Sequence, residues 1–349
     1  MKNILKTSLS LAILMLASSC EKSFLYEDQA DDPQTIFDAV WTDMDEHYSG
    51  FTDSPLQWED LGNMYSPLIT SHTSNQDLWN VLTEMLDKLN DEHVKLYDDA
   101  SKEVFISGDD KAEQAVTEFD LELIANDYLT KIASPNNYIL HGKMAGKENV
   151  GYIFIAAFLD ENPGVIGSAL QQMDYQNLDA LIIDLRTSIG GYDGLAAKYA
   201  AYFSDGCHHV YNSQYKNGPG RNDFTSPKAY YTQSPELVNF SKPIILLADA
   251  ATASEAEIFT INMRSFAHVV QMGDTTAGAL STVGPTRFLA NGWRYEYSIQ
   301  RITNPDGSTF EKAGIPPVKY VQNSAEEILN GQDKVLEESL LYLQHNFNI

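Results

Sequence analysis

With 349 residues, 43% of them hydrophobic, the chain can bury one large domain or two ordinary ones, which excludes a low-complexity or disordered polymer. Its 49 acidic residues outnumber the 23 basic ones for a formal net charge of −26, so repulsion excludes nucleic acid and a bare anionic lipid surface as partners. Only two cysteines occur, Cys20 and Cys207, too few for a disulfide framework.

Residues 1–20 read as a leader: Lys2 and Lys6, an apolar run from Leu9 to Ala17, then small residues up to Cys20. The run is too short for a permanent membrane helix, and Leu16-Ala17-Ser18-Ser19-Cys20 resembles the lipobox of bacterial lipoproteins. In such proteins the cysteine becomes the lipidated first residue of the mature chain. The expectation is a lipoprotein of the bacterial cell envelope, facing the periplasm or the cell surface and touching the membrane only through its lipid. With Cys20 modified, Cys207 has no intramolecular partner. Cys207-His208-His209 lacks a second ligand group at a metal-site spacing and reads as a loop.

Residues 21–33 are polar, acidic and aperiodic, as a tether requires. From 34 to 97 the apolar residues recur at helical intervals, Ile36, Phe37, Val40, Trp41 and Met44, then Leu78, Val81, Leu82, Met85, Leu86 and Leu89. This spacing predicts a helical N-terminal domain ending near Asn90-Asp91-Glu92-His93. Residues 98–349 read as an α/β core closed by a C-terminal helix. Up to Asn149 a short sheet or hairpin is predicted, with strand-like pieces at Phe119 to Ile124 and Tyr138 to Leu140. Strands at Val150 to Phe158, Ala180 to Leu185 and Pro243 to Ala248 then alternate with helices at Val165 to Met173, Leu195 to Phe203 and Ser254 to Phe266. That alternation is the crossover pattern of a mainly parallel sheet. Arg287 to Ala290 and Trp293 to Ile302 flank Asn291-Gly292, a pair suited to a hairpin turn, and one amphipathic helix runs from Ala325 to about His345.

Three stretches of the α/β region carry the chemistry. Leu181-Ile182-Ile183-Asp184-Leu185-Arg186-Thr187-Ser188-Ile189-Gly190-Gly191 is an apolar strand opening into a glycine turn, where backbone N–H groups can approach an anion or oxyanion. Lys242-Pro243-Ile244-Ile245-Leu246-Leu247-Ala248-Asp249 then leads through Ala250-Ala251-Thr252-Ala253 to Ser254, at the first turn of a helix whose unpaired amides favour negative charge. Read alone, Ser254 is equally a helix cap, with Glu257 completing a capping box. Gly273-Asp274-Thr275-Thr276-Ala277-Gly278 is a strand exit beside which a substrate chain can pass.

In this order the stretches resemble the superfamily of tail-specific proteases, tricorn-core proteases and the related retinoid-binding repeats. That superfamily shows D-L-R-x-N-x-G-G, a K-P-x-x-x-L strand, a T-A-S-x-x-E nucleophile helix and G-x-x-T-x-G. The likeness spans roughly Gln34 to Val321. It implies a fold with a helical domain packed on an α/β core like that of ClpP and crotonase, the active serine lying at the junction. It also implies a hydrolase of peptides or unfolded protein tails that uses no metal or cofactor, with Ser254 as nucleophile.

In the tail-specific branch a lysine follows the G-x-x-T-x-G segment and deprotonates the serine; here Ala279 occupies that position and cannot take a proton. The tricorn-like branch takes its base from L-x-D-G-H and a supporting glutamate ahead of G-I-x-P-D. Leu89-Asn90-Asp91-Glu92-His93 and Phe310-Glu311-Lys312-Ala313-Gly314-Ile315-Pro316-Pro317 resemble these. By resemblance His93 is the general base, reaching Ser254 across the junction, and Glu311 is a supporting polar residue. The backbone amides of Glu255 and of Gly190 or Gly191 hold the oxyanion. Departures from the pattern are Ser188 for asparagine, Glu92 for glycine and Pro317 for aspartate. The interval from His93 to Val150 is too short for a PDZ-type module plus its connecting strands. The competing readings are an inactive peptide-binding envelope lipoprotein and a carrier of apolar small molecules.

Overall fold

The computed structural model describes residues 30–108 and 110–349; the leader, Cys20 and residues 21–29 of the tether lie outside them. Among the described residues no helix is long and apolar enough to cross a membrane. The chain divides into two compact units, one of residues 30–108, Lys216–Phe224 and Val283–Ile299, the other of residues 110–215, Thr225–Thr282 and Gln300–Ile349. In chain order the strands are β1 (Lys95–Asp98), β2 (Glu103–Ile106), β3 (Leu129–Ala133), β4 (Ile139–Met144), β5 (Lys147–Ile155), β6 (Ala180–Asp184) and β7 (His209–Tyr215). They continue as β8 (Lys228–Tyr231), β9 (Ile244–Ala248), β10 (Val269–Gly273), β11 (Arg287–Phe288), β12 (Arg294–Glu296), β13 (Gln300–Thr303) and β14 (Lys319–Tyr320).

The first unit is the helical one, built on Pro33–His47, Trp58–Tyr65 and Asn75–Asp87. Asp32 caps the first of these by accepting the Thr35 N–H, with Pro33 in the first turn, and Ser74 caps the third by accepting from Asp77. The helical spacing places Ile36, Phe37, Val40 and Met44 in one core with Leu78, Leu82, Met85 and Leu86. Trp41 and Trp58 each donate an indole N–H to the other's carbonyl, at 3.3 and 3.0 Å, so the buried Trp58 and the half-buried Trp41 pack without an orphaned donor. The unit is wider than the helical stretch alone: an antiparallel sheet in the order β11-β12-β1-β2 completes it, and Trp293, Tyr295 and Tyr297 enter its core.

The second unit holds a seven-stranded sheet in the order β14-β10-β9-β6-β5-β4-β3, parallel from β14 to β5 and antiparallel beyond. Alternate residues face two cores. Ile153, Leu181, Ile183, Ile244 and Leu246 meet Ile166 and Phe259 on one side, while Tyr152, Ile182, Ile245 and Leu247 meet Leu336 and Leu343 on the other. Arg186 is fully buried at the exit of β6 and bridges Asp184 at 2.6 Å and Asp333 at 2.9 Å, tying the sheet to the cap of the C-terminal helix Lys334–Phe347. Because β6, β9 and β10 are adjacent and parallel, their carboxyl ends deliver residues 185–194, 249–254 and 274–279 to one end of the sheet. Open α/β sheets place their ligand sites at such an end.

Several local expectations change. Phe119 to Ile124 is no strand, since the Asp120 carboxylate accepts from Glu122 and Leu123 and starts a helical turn there. The C-terminal segment is two helices, Ala325–Leu329 and Lys334–Phe347, broken at Gly331, where φ is +78°. Gly292, at φ +86°, turns the predicted hairpin, but its second arm divides into β12 and β13, which pair in different sheets. β7 and β8 were not expected; their tyrosines and polar residues give too weak an alternation.

Candidate active site

Past β9 the chain makes a tight loop and arrives at Ser254 with φ 58° and ψ −125°, a conformation that costs a non-glycine residue about 1–3 kcal/mol. Backbone bonds hold it there: its N–H donates to the Ala279 carbonyl at 2.9 Å, and its carbonyl accepts from Glu257 and Ile258 at 2.8 and 3.1 Å. Its side chain makes no cap bond to the helix Glu255–Arg264, so the capping-box alternative does not hold. The serine is half-buried, aimed from a sharp strand-to-helix turn.

Gly190 lies against this turn. At its φ of +82°, a β-carbon would stand 2.7 Å from the Ser254 β-carbon and 2.8 Å from the Glu255 amide nitrogen. Gly191, at φ +156°, would drive a β-carbon into the Phe158 carbonyl oxygen. The pair is held flat by Phe158, whose N–H donates to the Gly190 carbonyl at 2.7 Å and whose carbonyl accepts from Tyr192 at 2.8 Å. Of the three residues assigned from sequence to the oxyanion, Gly190 packs on Ser254 and on the Glu255 amide nitrogen, while Gly191 packs on Phe158.

The two glutamates after Ser254 point to different loops. Glu255 accepts the Ala196 N–H at 2.7 Å at the start of the helix Leu195–Ala200, and burial pushes its carboxyl up to about 8. Glu257, the expected capping partner, reaches residues 276–279 instead. It accepts from the Thr276 hydroxyl at 2.5 Å and from the N–H groups of Gly278 and Ala279 at 2.9 and 2.7 Å. Burial pushes it up to about 7 against the pull of these bonds. Ala279, which stands where the tail-specific branch has lysine, is therefore one backbone bond from Ser254 and buried.

Glu311 is half-buried on a turn whose Lys312 N–H donates to the Gly278 carbonyl at 2.6 Å. Gly314 closes that turn at φ +72°, and Ile315 donates to the Thr276 hydroxyl at 2.7 Å. The Glu311 turn and the 276–279 loop thus form one bonded body, although nothing in the sequence linked them.

His93 belongs to the helical unit and is buried. The Asp91 carboxylate accepts the His93 N–H at 2.9 Å and the Tyr48 hydroxyl at 2.6 Å, which fixes the backbone of the turn. The ring Nδ1 lies 3.3 Å from the Ser298 hydroxyl, and the Ser298 carbonyl accepts from Ser49 N–H and Oγ, both at 3.0 Å. The Nδ1 contact allows two tautomers, and the one in which Nδ1–H donates to Ser298 leaves the lone pair on Nε2. Tyr48 and Ser298 are support residues that no motif flagged; they arrive from segments remote in sequence. Cys207 is an exposed free thiol, and His208 beside it pairs with Asp205 at 2.6 Å.

Comparison with known proteins gives independent support. Residues 149–320 match the model of peptidase family S41, and residues 29–87 match the tricorn protease C1 domain. The chain is 26% identical over 169 residues to the carboxy-terminal processing protease CtpA of Bacillus subtilis, covering 48% of this chain and 34% of that protein. It is 22% identical over 178 residues to the chloroplastic carboxyl-terminal-processing peptidase 2 of Arabidopsis thaliana, covering 51% and 33%. The chain spans about a third of the length of the curated relatives it matches. A crystal structure from Parabacteroides merdae, of a protein provisionally called a peptidase, aligns with TM-score 0.79 at 24% identity over 90% of this chain and 97% of that one. Mature CPAF complexed with lactacystin aligns with TM-score 0.68 at 11% identity over 90% and 98%. With these matches and the ordered motifs around Ser254, residues 149–320 read as a peptidase family S41 region, and the chain is similar to the tail-specific and tricorn-like proteases.

Proposed function

We propose that the chain is a serine-type peptidase that cleaves peptides or unfolded protein tails, with Ser254 as nucleophile and His93 as general base. The observation that carries this reading is the strained turn at Ser254 with Gly190 packed on it, since a mere helix cap needs neither the positive φ nor the glycine. In the proposed reaction His93 Nε2 takes the Ser254 proton as Oγ attacks the substrate carbonyl. The N–H groups of Glu255 and of Gly190 or Gly191 stabilise the oxyanion. The proton passes to the leaving amine, and water, deprotonated by the same imidazole, hydrolyses the acyl-enzyme. Glu311 supports this arrangement as a polar neighbour. The leader residues and Cys20 support a lipid-anchored protein of the bacterial envelope; mass spectrometry of membrane-extracted protein tests this by looking for a diacylglyceryl group on Cys20.

Digestion of a peptide library by residues 21–349 tests the activity. Cleavage that disappears in Ser254→Ala and falls steeply in His93→Ala supports the assignment. Cleavage that survives Ser254→Ala contradicts it.

A further inference from the structure

The reaction as proposed gives no role to Asp249, a buried carboxylate at the start of the nucleophile loop. Asp249 is the first residue after β9, and it is 9% exposed. Its Oδ1 and Oδ2 lie 3.0 and 3.1 Å from the Thr187 nitrogen, whose N–H they share. Oδ1 also accepts the Ala251 N–H at 3.0 Å and lies 3.1 Å from the Thr252 hydroxyl. Thr187 stands at φ 61°, a left-handed conformation unusual for a β-branched residue, three positions before Gly190. Thr252 is two positions before Ser254, and its hydroxyl also reaches the Leu185 carbonyl at 2.9 Å. One further bond, Ala253 N–H to the Ser188 carbonyl at 3.0 Å, joins the same two segments.

Resting on the reading of Ser254 as nucleophile, we propose that Asp249 is a positioning residue whose carboxylate clamps the oxyanion turn, through Thr187, to the nucleophile loop, through Ala251 and Thr252. The ionised form is the one that fits, because the Thr187 and Ala251 N–H groups can only donate, while the Thr252 hydroxyl shares its single proton between Asp249 and the Leu185 carbonyl and accepts the Asp249 N–H at 3.0 Å. A protonated carboxyl adds a donor of its own and loses an acceptor, which releases Thr187 and lets Gly190 shift relative to Ser254. Burial pushes Asp249 up to about 6, with the Thr187 N–H and Arg186 favouring the carboxylate and Asp184 opposing it. Arg186 and Asp184, at the exit of the neighbouring strand β6, are the charged groups that act on it. Loss of the clamp is therefore expected as the pH falls through about 6, in a window where the enzyme also needs a neutral imidazole.

The experiment is the rate of Ser254 labelling by a fluorophosphonate between pH 5 and pH 8, together with kcat and KM on one cleaved peptide. Wild type is compared with Asp249→Asn and Thr252→Val. Asparagine keeps the shape but offers one acceptor only, so kcat is expected to fall by about 100-fold, the scale of a misplaced reacting group, with KM unchanged. The ratio of wild-type to Asp249→Asn rates should shrink as the pH drops through about 6, since only the wild type loses its clamp there. The base contributes equally to both rates and cancels. Thr252→Val withdraws one donor and should move the acid limb to higher pH even if the asparagine variant fails to fold. A pH-independent ratio, or a Thr252→Val limb that does not move, overturns the clamp. No labelling of wild-type protein at any pH would instead overturn the peptidase reading on which the clamp rests.

Discussion

Gly190 and Ser254 touch so closely that a β-carbon on the glycine would stand 2.7 Å from the serine's own. Residue 190 must also hold φ +82°, a region that costs a residue with a side chain about 1–2 kcal/mol. Gly190→Ala is therefore expected to lower stability by more than that amount, since its β-carbon would also stand 2.8 Å from the Ala253 carbonyl oxygen and the Glu255 nitrogen, and to push the oxyanion turn off the serine. Losing one oxyanion donor costs roughly 100-fold or more in kcat. Peptide hydrolysis and urea unfolding measured on the same preparation check both halves. Wild-type turnover in the alanine chain contradicts the role of the turn.

Glu257 gives a pH-dependent prediction. Its carboxyl is raised from an ordinary 4.5 to about 7, so between these values the folded chain keeps a proton that the unfolded chain has released. The associated stability is fully present below pH 4.5 and is lost as the pH rises through about 7. Glu257→Gln removes this dependence. The difference in unfolding free energy, wild type minus variant, should thus decrease as the pH rises across that window. Taking a difference cancels the buried His141 and the half-buried His268, whose imidazoles burial holds below their ordinary value and which act with the opposite sign. Urea titrations at several pH values check it, and a flat or rising difference contradicts the assignment.

Asp333 joins the cap of the last helix to Arg186, and Arg186 reaches back to Asp184. Removing Asp333 leaves the buried guanidinium with Asp184 as its single carboxylate and takes away the helix cap, so Asp333→Ala is expected to destabilise by about 3–5 kcal/mol. The Arg186 charge holds the Asp333 carboxyl below its ordinary range, so this contribution is present above the ordinary carboxyl pKa and is lost as the pH falls through the depressed value. Denaturant midpoints read the effect directly. A loss below about 1 kcal/mol, as for a surface pair, contradicts the buried linkage.

What the sequence disclosed follows from the range over which its signals act. The Ala180 to Ile183 and Ile244 to Leu247 runs are fully buried, and unbroken apolar stretches of that length announce central parallel strands. Ser254 and Gly190 were legible because a strand-turn-helix segment and a glycine pair are local patterns. The capping-box alternative placed Glu257 on Ser254 because local reasoning defaults to the nearest cap, whereas its actual donors lie in residues 276–279. Ser298 and Tyr48 around His93, and Asp249 around the oxyanion turn, carry no motif. Their roles exist only once segments such as Asp249 and Thr187, distant in sequence, have folded together. The split of the last helix at Gly331 was visible in principle, since a glycine followed by Asp333 combines a stop with a start signal.

The measurement that bears most directly on the central claim is fluorophosphonate labelling of residues 21–349, with the modified residue located by peptide mapping. The expected result is a single phosphonylated serine, Ser254, with labelling abolished in Ser254→Ala and slowed by about 100-fold or more in His93→Ala. Labelling at another serine, or a His93→Ala rate equal to wild type, contradicts the account.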